Sequence, residues 1–535
     1  MNQLKKDIAT VKPLAFLAFI LVMLLSVSCQ PKPKEKSTKE QKPNIIFIMS
    51  DDHTTQAITA YNDIYADFFT TPNIDRLAKE GMRFDNVYCA NAICGPSRAI
   101  IITGKYSHKN GYYKNESGGH FNPDQWTFTE ELHDQGYSTA MVGKWHLGTQ
   151  PHGFDYYMFH DNPGQQGYYW NPVYNLNGEH VTIKGYATNI TTDTAISWIN
   201  SVKDNDKPFA LLLHYKAPHR NWFPDEKYKN MYPDKDLPYP ATFNDDYKGR
   251  EKTAGDTWMT MDYFNRKDMK MTPPEGLEGH DLYSWQEYGN NPNQAFMPEG
   301  CKTNEEAKKW KYQRFIKDYL ACVKSVDDNV GRVLKYLDEN GLAENTIVVY
   351  TGDQGFYLGD HGFFDKRFIY EESFRMPFIM RYPKKIKEGS SNQDLISNAD
   401  FAPTLLEFAG IDVPADVQGK SFEKMAEGKT IENWRDAVYY HYYEWPFWHH
   451  VQPHYGIRSK RYKLAHFYYN IDEWEFYDME KDPNEMYNAI NDPAYAKEIA
   501  NMKKQLNELM KEVGDTAKLS DFREVTDTDF GKLKD

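Results

Sequence analysis

The sequence predicts an α/β protein: a large, mostly parallel sheet sandwiched by helices, followed by a smaller C-terminal α+β unit containing an antiparallel sheet. Three observations predict it. Several short apolar runs show no alternation, which marks strands buried on both faces, hence parallel and helix-covered. Helical periodicities lie between these runs. After Lys420 the composition turns aromatic and β-prone in short alternating segments. The length of 535 residues agrees, because it exceeds what one small core organises.

The first element is an address. Lys5 and Lys6 precede an apolar run from Leu14 to Val27 that stops at Ser28-Cys29, too short to span a bilayer comfortably. A charged start followed by such a run reads as an export signal. Leu25-Ser26-Val27-Ser28-Cys29 resembles a bacterial lipobox, which implies lipidation of Cys29 and a membrane anchor; an ordinary cleaved signal is the alternative. Residues 1–28 are therefore assigned to a lipoprotein-type signal peptide, and 29–42, rich in Lys, Pro and Glu, to a tether. The expected location is the periplasm, or the outer membrane and cell surface.

Residues 43–420 carry the main sheet and, at its strand ends, the chemistry. Asn44 to Met49 runs into Ser50-Asp51-Asp52, and Ala140 to Val142 into Gly143-Lys144-Trp145-His146. Phe209 to His214 runs towards Pro218-His219, and Thr346 to Tyr350 into Thr351-Gly352-Asp353-Gln354. Groups just beyond strand C-termini are where open α/β sheets build their sites. Phe378-Ile379-Met380 is a fifth strand candidate. From roughly Asn304 to Glu339, Ile316, Leu320, Val323, Val330, Leu334 and Leu337 recur at three- and four-residue spacing before an Asn340-Gly341 stop. That pattern is a core-facing amphipathic helix. A Pro-, Asn-, Tyr- and Asp-rich stretch from about 231 to 300 reads as a long insertion over the sheet, of the kind that shapes binding sites.

Residues 421–535 make the C-terminal unit. Its strands are read in Tyr439 to Tyr443, Tyr462 to Tyr469 and Trp474 to Tyr477. A helix from about Ala494 to Val513 follows, with Ile499, Met502, Leu506 and Val513 on one face. No internal repeat of solenoid length is present.

Composition narrows the function classes. With 40% apolar and 15% aromatic residues the bulk is not disordered. Lys plus Arg number 63 against 77 Asp plus Glu, a net charge of −14. That balance lacks the surplus of cations on which sequence-independent nucleic-acid binding relies, so no nucleic-acid partner is expected. Five cysteines are too few for a disulfide scaffold, and a pairing among Cys89, Cys301 and Cys322 stays open.

The most specific segment is Cys94-Gly95-Pro96-Ser97-Arg98-Ala99-Ile100-Ile101-Ile102-Thr103-Gly104-Lys105. Pro96 suits a helix first turn, which puts Cys94 at a helix N-terminus. Such a position favours anions and lowers a thiol pKa. A small buried hydrophobe fits the same residue equally well.

Cys-x-Pro-Ser-Arg followed by Thr-Gly resembles the signature of the formylglycine-dependent (type I) sulfatases, in the alkaline phosphatase-like superfamily. The resemblance runs from Asn44 to about Asn488. It also includes Asp51-Asp52, Gly143-Lys144-Trp145-His146, Pro218-His219, Asp353-Gln354-Gly355, Asp365-Lys366-Arg367 and Tyr477-Asp478-Met479-Glu480-Lys481-Asp482-Pro483. It implies that a sulfatase-maturating enzyme oxidises Cys94 to formylglycine (3-oxoalanine), whose hydrated aldehyde is the nucleophile. It further implies that Asp51, Asp52, Asp353 and Gln354, with residue 94, hold Ca²⁺. An all-oxygen set suits that hard cation and not zinc. Gln354 stands where the family usually has Asn, keeping the amide oxygen on a longer arm. By the family pattern Arg98 and Lys144 hold the formylglycine and sulfate, and His146 assists breakdown of the sulfated intermediate. His219 and Lys366 face the leaving-group oxygen, with His219 as general acid.

The segment from Gly352 to Arg375, with Asp51 to Ile58 and Ala217 to Trp222, resembles the bacterial branch acting on N-acetylglucosamine 6-O-sulfate in heparin, heparan sulfate or mucin-type glycans. Asp360 and His361 are expected to pair with sugar hydroxyls. His454 is expected to touch substrate, with His450 and the C-terminal aromatics as further candidates. The expected function is hydrolysis of a sulfate ester on a glycan sugar. Its rivals are an iduronate-2-sulfatase-like branch, a phosphoesterase of the same superfamily, and a lipoprotein that only binds glycans. The acidic exterior disfavours gripping a long polyanion and fits recognition of one terminal sulfated sugar.

Overall fold

The computed structural model describes residues 41–61, 64–115, 121–161, 164–232, 235–271, 276, 297–446 and 449–522. The expected signal peptide, Cys29 and almost all of the tether lie outside the described residues, as does much of the expected insertion.

The main sheet contains, in chain order, β1 (Asn44–Ser50), β2 (Met82–Phe84), β3 (Ser138–Gly143), β4 (Tyr156–His160), β5 (Val173–Leu176), β6 (Glu179–Thr182), β7 (Phe209–Tyr215), β8 (Thr346–Gly352), β9 (Phe378–Arg381) and β10 (Ser390–Asn392). Their spatial order is β10-β2-β9-β8-β1-β7-β3-β4-β5-β6. The centre, β8-β1-β7-β3-β4, is parallel throughout, as the unbroken apolar runs predict. Towards the edges the sheet becomes mixed: β9 is antiparallel to β8 and β2, and β5 and β6 pair antiparallel. The reason for the unbroken runs is visible in β1. Ile45, Phe47 and Met49 enter the core on one face of the sheet, and Ile46 and Ile48 enter the core on the other. Burying each of these side chains contributes about 1.5–3 kcal/mol.

Helices cover both faces. They include α1 (Pro72–Lys79), α2 (Cys94–Thr103), α3 (Ala187–Val202), α4 (Asn304–Glu339) and α5 (Phe401–Phe408). The Thr303 side chain accepts from Glu306 N while Glu306 caps the Thr303 backbone, so α4 starts at a complete capping box. Its six periodic apolar residues are all buried. Helix α2 is buried along its whole length and ends at Gly104. There φ is +62° and a Cβ would lie 2.7 Å from the Val417 side chain, so a glycine is required.

The C-terminal sheet is antiparallel in the order β11 (Ala437–Tyr442), β12 (His454–Ser459), β13 (Tyr462–Phe467), β14 (Glu473–Asp478). Helix α6 (Ala496–Val513) lays Ile499, Met502, Leu506 and Val513 on it. The same apolar cluster includes Ile100 of α2, so this sheet braces the helix that carries Cys94. Cys89, Cys301 and Cys322 are unpaired thiols.

Beyond α6 the chain is tied down by Asp515. Its carboxylate accepts from His441 Nδ1 at 2.8 Å and Tyr439 Oη at 2.7 Å. Burial raises this carboxyl, but the facing His441 and His108 outweigh it and hold it at about 2. A carboxyl depressed from 3.8 contributes stability that is complete above 3.8 and lost as pH falls through about 2. Asp515→Asn is therefore expected to cost about 2 kcal/mol at pH 7. Urea unfolding should show the deficit narrowing below the ordinary carboxylate range; a deficit independent of pH would contradict this account.

Candidate active site

Register brings the chemistry to one edge. Ser50 pairs with Gly352 and with Tyr215, and Gly143 pairs with His214. Asp51-Asp52, Asp353-Gln354, Lys144 to His146 and Lys216 to His219 therefore leave the sheet side by side. Helix α2 adds Cys94 at its first position and Arg98 one turn later, and the turn Asp365-Lys366-Arg367 closes the group. At Gly143 φ is +114° and a Cβ would lie 1.8 Å from His214 O, so only glycine lets the chain turn directly into Lys144. Asp52, His146, Asp365 and Arg367 hold left-handed φ values of 63, 58, 78 and 104°. Such conformations cost roughly 1–3 kcal/mol each and persist where the surroundings over-determine them.

One oxygen from each of Asp51, Asp52 and Asp353 lies within 4.8 Å of the others, and all three residues are buried. Burial, opposed by Lys366 and reinforced by Asp51 and Asp353, pushes Asp52 up to about 8. Burial and the neighbouring Asp51 push Asp353 up to about 6. Burial also acts on Asp51, but Lys144, His219 and Arg98 hold it well below the usual range. Asp51 Oδ1 and Gln354 Oε1 are buried without a hydrogen-bond partner. Mutually repelling carboxylates, hard oxygen donors and orphaned oxygens fit a divalent cation such as Ca²⁺. The longer Gln354 arm does not spoil the fit, because its Nε2 donates to Asp52 Oδ1 at 2.5 Å and Oε1 remains available.

Cys94 Sγ lies 4.0 Å from Asp52 Oδ1. The helix start does not lower this thiol as its position predicts. Burial, then Asp51, push it well above the ordinary range, and Lys366 and Lys144 only partly offset them. A helix N-terminus is worth at most ~2 kcal/mol, too little against buried carboxylates. The unmodified thiol is therefore a protonated, weak nucleophile.

Cations surround these groups. Arg98 Nε donates to Asp353 Oδ2 at 3.1 Å and its Nη1 to Lys144 O at 2.6 Å. Lys144 Nζ donates to Asp51 and, at 2.5 Å, to Gln166 Oε1. Gln166 Nε2 lies 2.9 Å from His146 Nε2, so this glutamine couples Lys144 to His146. Lys366 Nζ grips both Asp52 oxygens, at 2.6 and 2.8 Å. His219 Nδ1 donates to Arg220 O at 2.8 Å, which leaves Nε2 facing Asp52 Oδ2 at 3.6 Å. Burial, then Lys144, lower the His219 imidazole well below its ordinary value.

Cys94, His146, His219 and Lys366 line a cavity of about 630 Å³, a size typical of small-molecule sites. Its walls include Asn115, Gln166, Lys216, Trp258, Arg367 and His449, none predicted as site residues. Lys216 obeys the strand-end rule that found the others, and burial with the nearby Lys144 brings its ammonium down to about 7. Arg367 adjoins Lys366 and could have been found the same way. Asn115, Gln166, Trp258 and His449 carry no local signal. His449 reaches Asp365 Oδ2 at 3.1 Å, and its carbonyl accepts from Trp258 N at 2.7 Å, joining the insertion and the C-terminal unit over the site.

The three residues expected to touch sugar do not line this cavity. His361 is buried with Nδ1 at 2.7 Å from Asp245 Oδ2, and Asp360 accepts from Gln56 Nε2 at 3.2 Å. His454 accepts from Ile369 N at 3.1 Å through Nε2 and stacks on Phe467. Asp360 and His361 are buried away from the cavity, with Asp360 Oδ2 and His361 Nε2 left without a hydrogen-bond partner. Both ring nitrogens of His454 are engaged, which makes it an aromatic-core histidine. His450 instead stacks on the back of the wall residue Trp258, with ring centroids 4.8 Å apart.

Comparison with known proteins adds family context. Residues 43–411 match the family described as Sulfatase, and residues 359–512 match N-sulphoglucosamine sulphohydrolase, C-terminal. The chain is 46% identical over 509 residues to an N-acetylglucosamine-6-O-sulfatase of Bacteroides thetaiotaomicron, covering 92% of this chain and 90% of that one. It is similar to a solved structure in complex with its substrate D-glucosamine-2-N,6-O-disulfate, with a TM-score of 0.80 and 45% identity, covering 89% of this chain and 99% of that one. A phosphonate monoester hydrolase from Silicibacter pomeroyi shares the fold at a TM-score of 0.67 and 21% identity, covering 88% of this chain and 95% of that one.

Proposed function

The chain belongs to the sulfatase family and is a sulfuric ester hydrolase, and from that membership we propose that it removes the 6-O-sulfate of a terminal glucosamine or N-acetylglucosamine in heparin, heparan sulfate or mucin-type glycans. The observation that carries this reading is the convergence of three buried carboxylates and a ring of cations on Cys94, which with His146, His219 and Lys366 lines one cavity. Its specificity is supported by 46% identity to an N-acetylglucosamine-6-O-sulfatase.

Oxidised by a maturating enzyme, position 94 would supply a hydrated aldehyde as nucleophile, and Asp51, Asp52, Asp353 and Gln354 would hold Ca²⁺, which would supply positive charge to the site. The remaining work falls to the chain's own side chains. Arg98 fixes Asp353 and the Lys144 backbone, and so sets the floor's geometry. Lys144 and Lys366 place positive charge where negative charge develops on the transferring group. His219, locked by its bond to Arg220 O, presents Nε2 as the atom that, once protonated, delivers a proton to the departing alcohol. His146 is held by Gln166 for the return proton transfer. Burial of Cys94, Lys144 and Lys366 keeps bulk water from these groups. The leader supports export, with Cys29 as a lipid anchor in the periplasm or at the cell surface.

Sulfate release from a panel of positional isomers tests the proposal. Glucosamine and N-acetylglucosamine 6-O-sulfates should turn over at least about a hundredfold faster than 2-O- or 3-O-sulfates or the 6-phosphate. Preference for a sulfated uronic acid, or for the phosphate ester, would overturn it.

A further inference from the structure

The mouth of the active-site cavity carries an aromatic patch for which neither the catalytic residues nor the fold accounts. Among the described residues six large hydrophobic side chains are strongly exposed; two of them, Tyr168 and Phe223, line this mouth, and a third, Trp170, follows close behind Tyr168 in the chain. Tyr168 and Phe223 line the same cavity as Cys94 and His219, yet they are 49% and 36% exposed, while Cys94 is 1% exposed. The cavity thus grades from a buried ionic floor to an open aromatic rim.

The rim is braced. Tyr169, beside Tyr168, donates through its hydroxyl to His219 O at 2.5 Å, and its ring lies 6.5 Å from that of Phe223. Phe223 O accepts from Tyr186 Oη at 3.1 Å, and Lys270 Nζ sits 5.3 Å from the Phe223 ring centroid. Trp170 packs 5.1 Å from Tyr186. Phe223 is thus fixed by its neighbours and Tyr168 is flanked by the anchored Tyr169, which lowers the entropy cost of binding, and exposed aromatic side chains at a cavity mouth mark a contact surface.

We propose that Tyr168 and Phe223 form a subsite for the sugar that follows the sulfated one, stacking on the apolar face of its pyranose ring. This rests on the proposed glycan 6-O-sulfatase activity. A sulfate seated at Cys94 places its own sugar in the buried part of the cavity, so the most exposed lining residues meet the next ring along the chain. Aromatic faces carry negative charge and attract the C–H edges that a pyranose presents. The stacked sugar orients the sulfated one, so the benefit is read in kcat/KM of oligosaccharides and is absent for a monosaccharide.

The test compares 6-O-sulfated glucosamine as a monosaccharide and at the non-reducing end of a disaccharide and a tetrasaccharide. Wild type should favour the longer substrates. The double variant Tyr168→Ala, Phe223→Ala should lose roughly tenfold in kcat/KM on them and keep the wild-type rate on the monosaccharide, which also verifies folding. Tyr168→Phe should retain the length preference, and Tyr168→Leu should lose it. An equal loss on all three substrates, or no loss on any, would overturn the subsite. Failure of wild type on every 6-O-sulfated sugar would overturn the proposed activity and the subsite with it, whereas turnover without length dependence removes the subsite alone.

Discussion

Replacing Cys94 by Ala is expected to abolish sulfate release, a loss on the order of 10⁴- to 10⁶-fold in kcat, as is usual when a nucleophile is removed. The substitution leaves the carboxylates, lysines and histidines in place, so substrate should still bind. The loss should therefore appear in kcat, with KM nearly unchanged. The same argument extends to protein made without the maturating enzyme. Its thiol is buried beside Asp51 and held protonated, so it should be as inactive as the alanine variant. Intact mass distinguishes the two forms, because maturation removes a sulfur and two hydrogens and adds an oxygen. Full activity in Cys94→Ala, or in protein whose mass shows an unaltered thiol, would exclude this mechanism.

The second large effect is expected from the cation. Chelation should lower kcat/KM by about 10³-fold, because several kcal/mol of transition-state charge stabilisation go with the metal. It should also lower the unfolding temperature. A ligand bound only by the native state at a hundredfold excess over Kd adds about 2.7 kcal/mol. Added Ca²⁺ should restore both quantities in wild type. In Asp51→Asn the activity should stay low and the temperature should no longer respond to Ca²⁺, since a charged oxygen of the cluster is gone. Calorimetry decides the matter without reference to turnover. A Ca²⁺-dependent shift that survives in Asp51→Asn would place the cation elsewhere.

Much of the site was readable because its residues follow strands directly. Asp51-Asp52, Lys144, His146 and Asp353-Gln354 each come within a few residues of an apolar run, and parallel strands end together. Covalent neighbourhood then does most of the positioning. The helix from about Asn304 to Glu339 was readable, because its apolar period and its Asn340-Gly341 stop are local properties; its Thr303/Glu306 capping box emerged with the structure. Asp360, His361 and His454 show the limit. Imidazole and carboxylate suit a sugar, but whether they meet one depends on what packs over them. Asp245 of the insertion takes His361, and the aromatics of the C-terminal sheet enclose His454. Gln166, Trp258 and His449 illustrate the reverse case, residues of ordinary loops made into site walls by long-range packing.

The sequence by itself determined the class of fold and the strand ends that bear the candidate residues, since periodicity and chain continuity are local quantities, and its resemblance to the sulfatases singled out the oxygen-donor set. Tertiary structure alone decided the mixed sheet edges, the high thiol pKa of Cys94, the coupling of Lys144 to His146 through Gln166, and the aromatic rim at Tyr168 and Phe223. Those features depend on burial and on contacts between segments far apart in the chain, which arise only when the whole core closes.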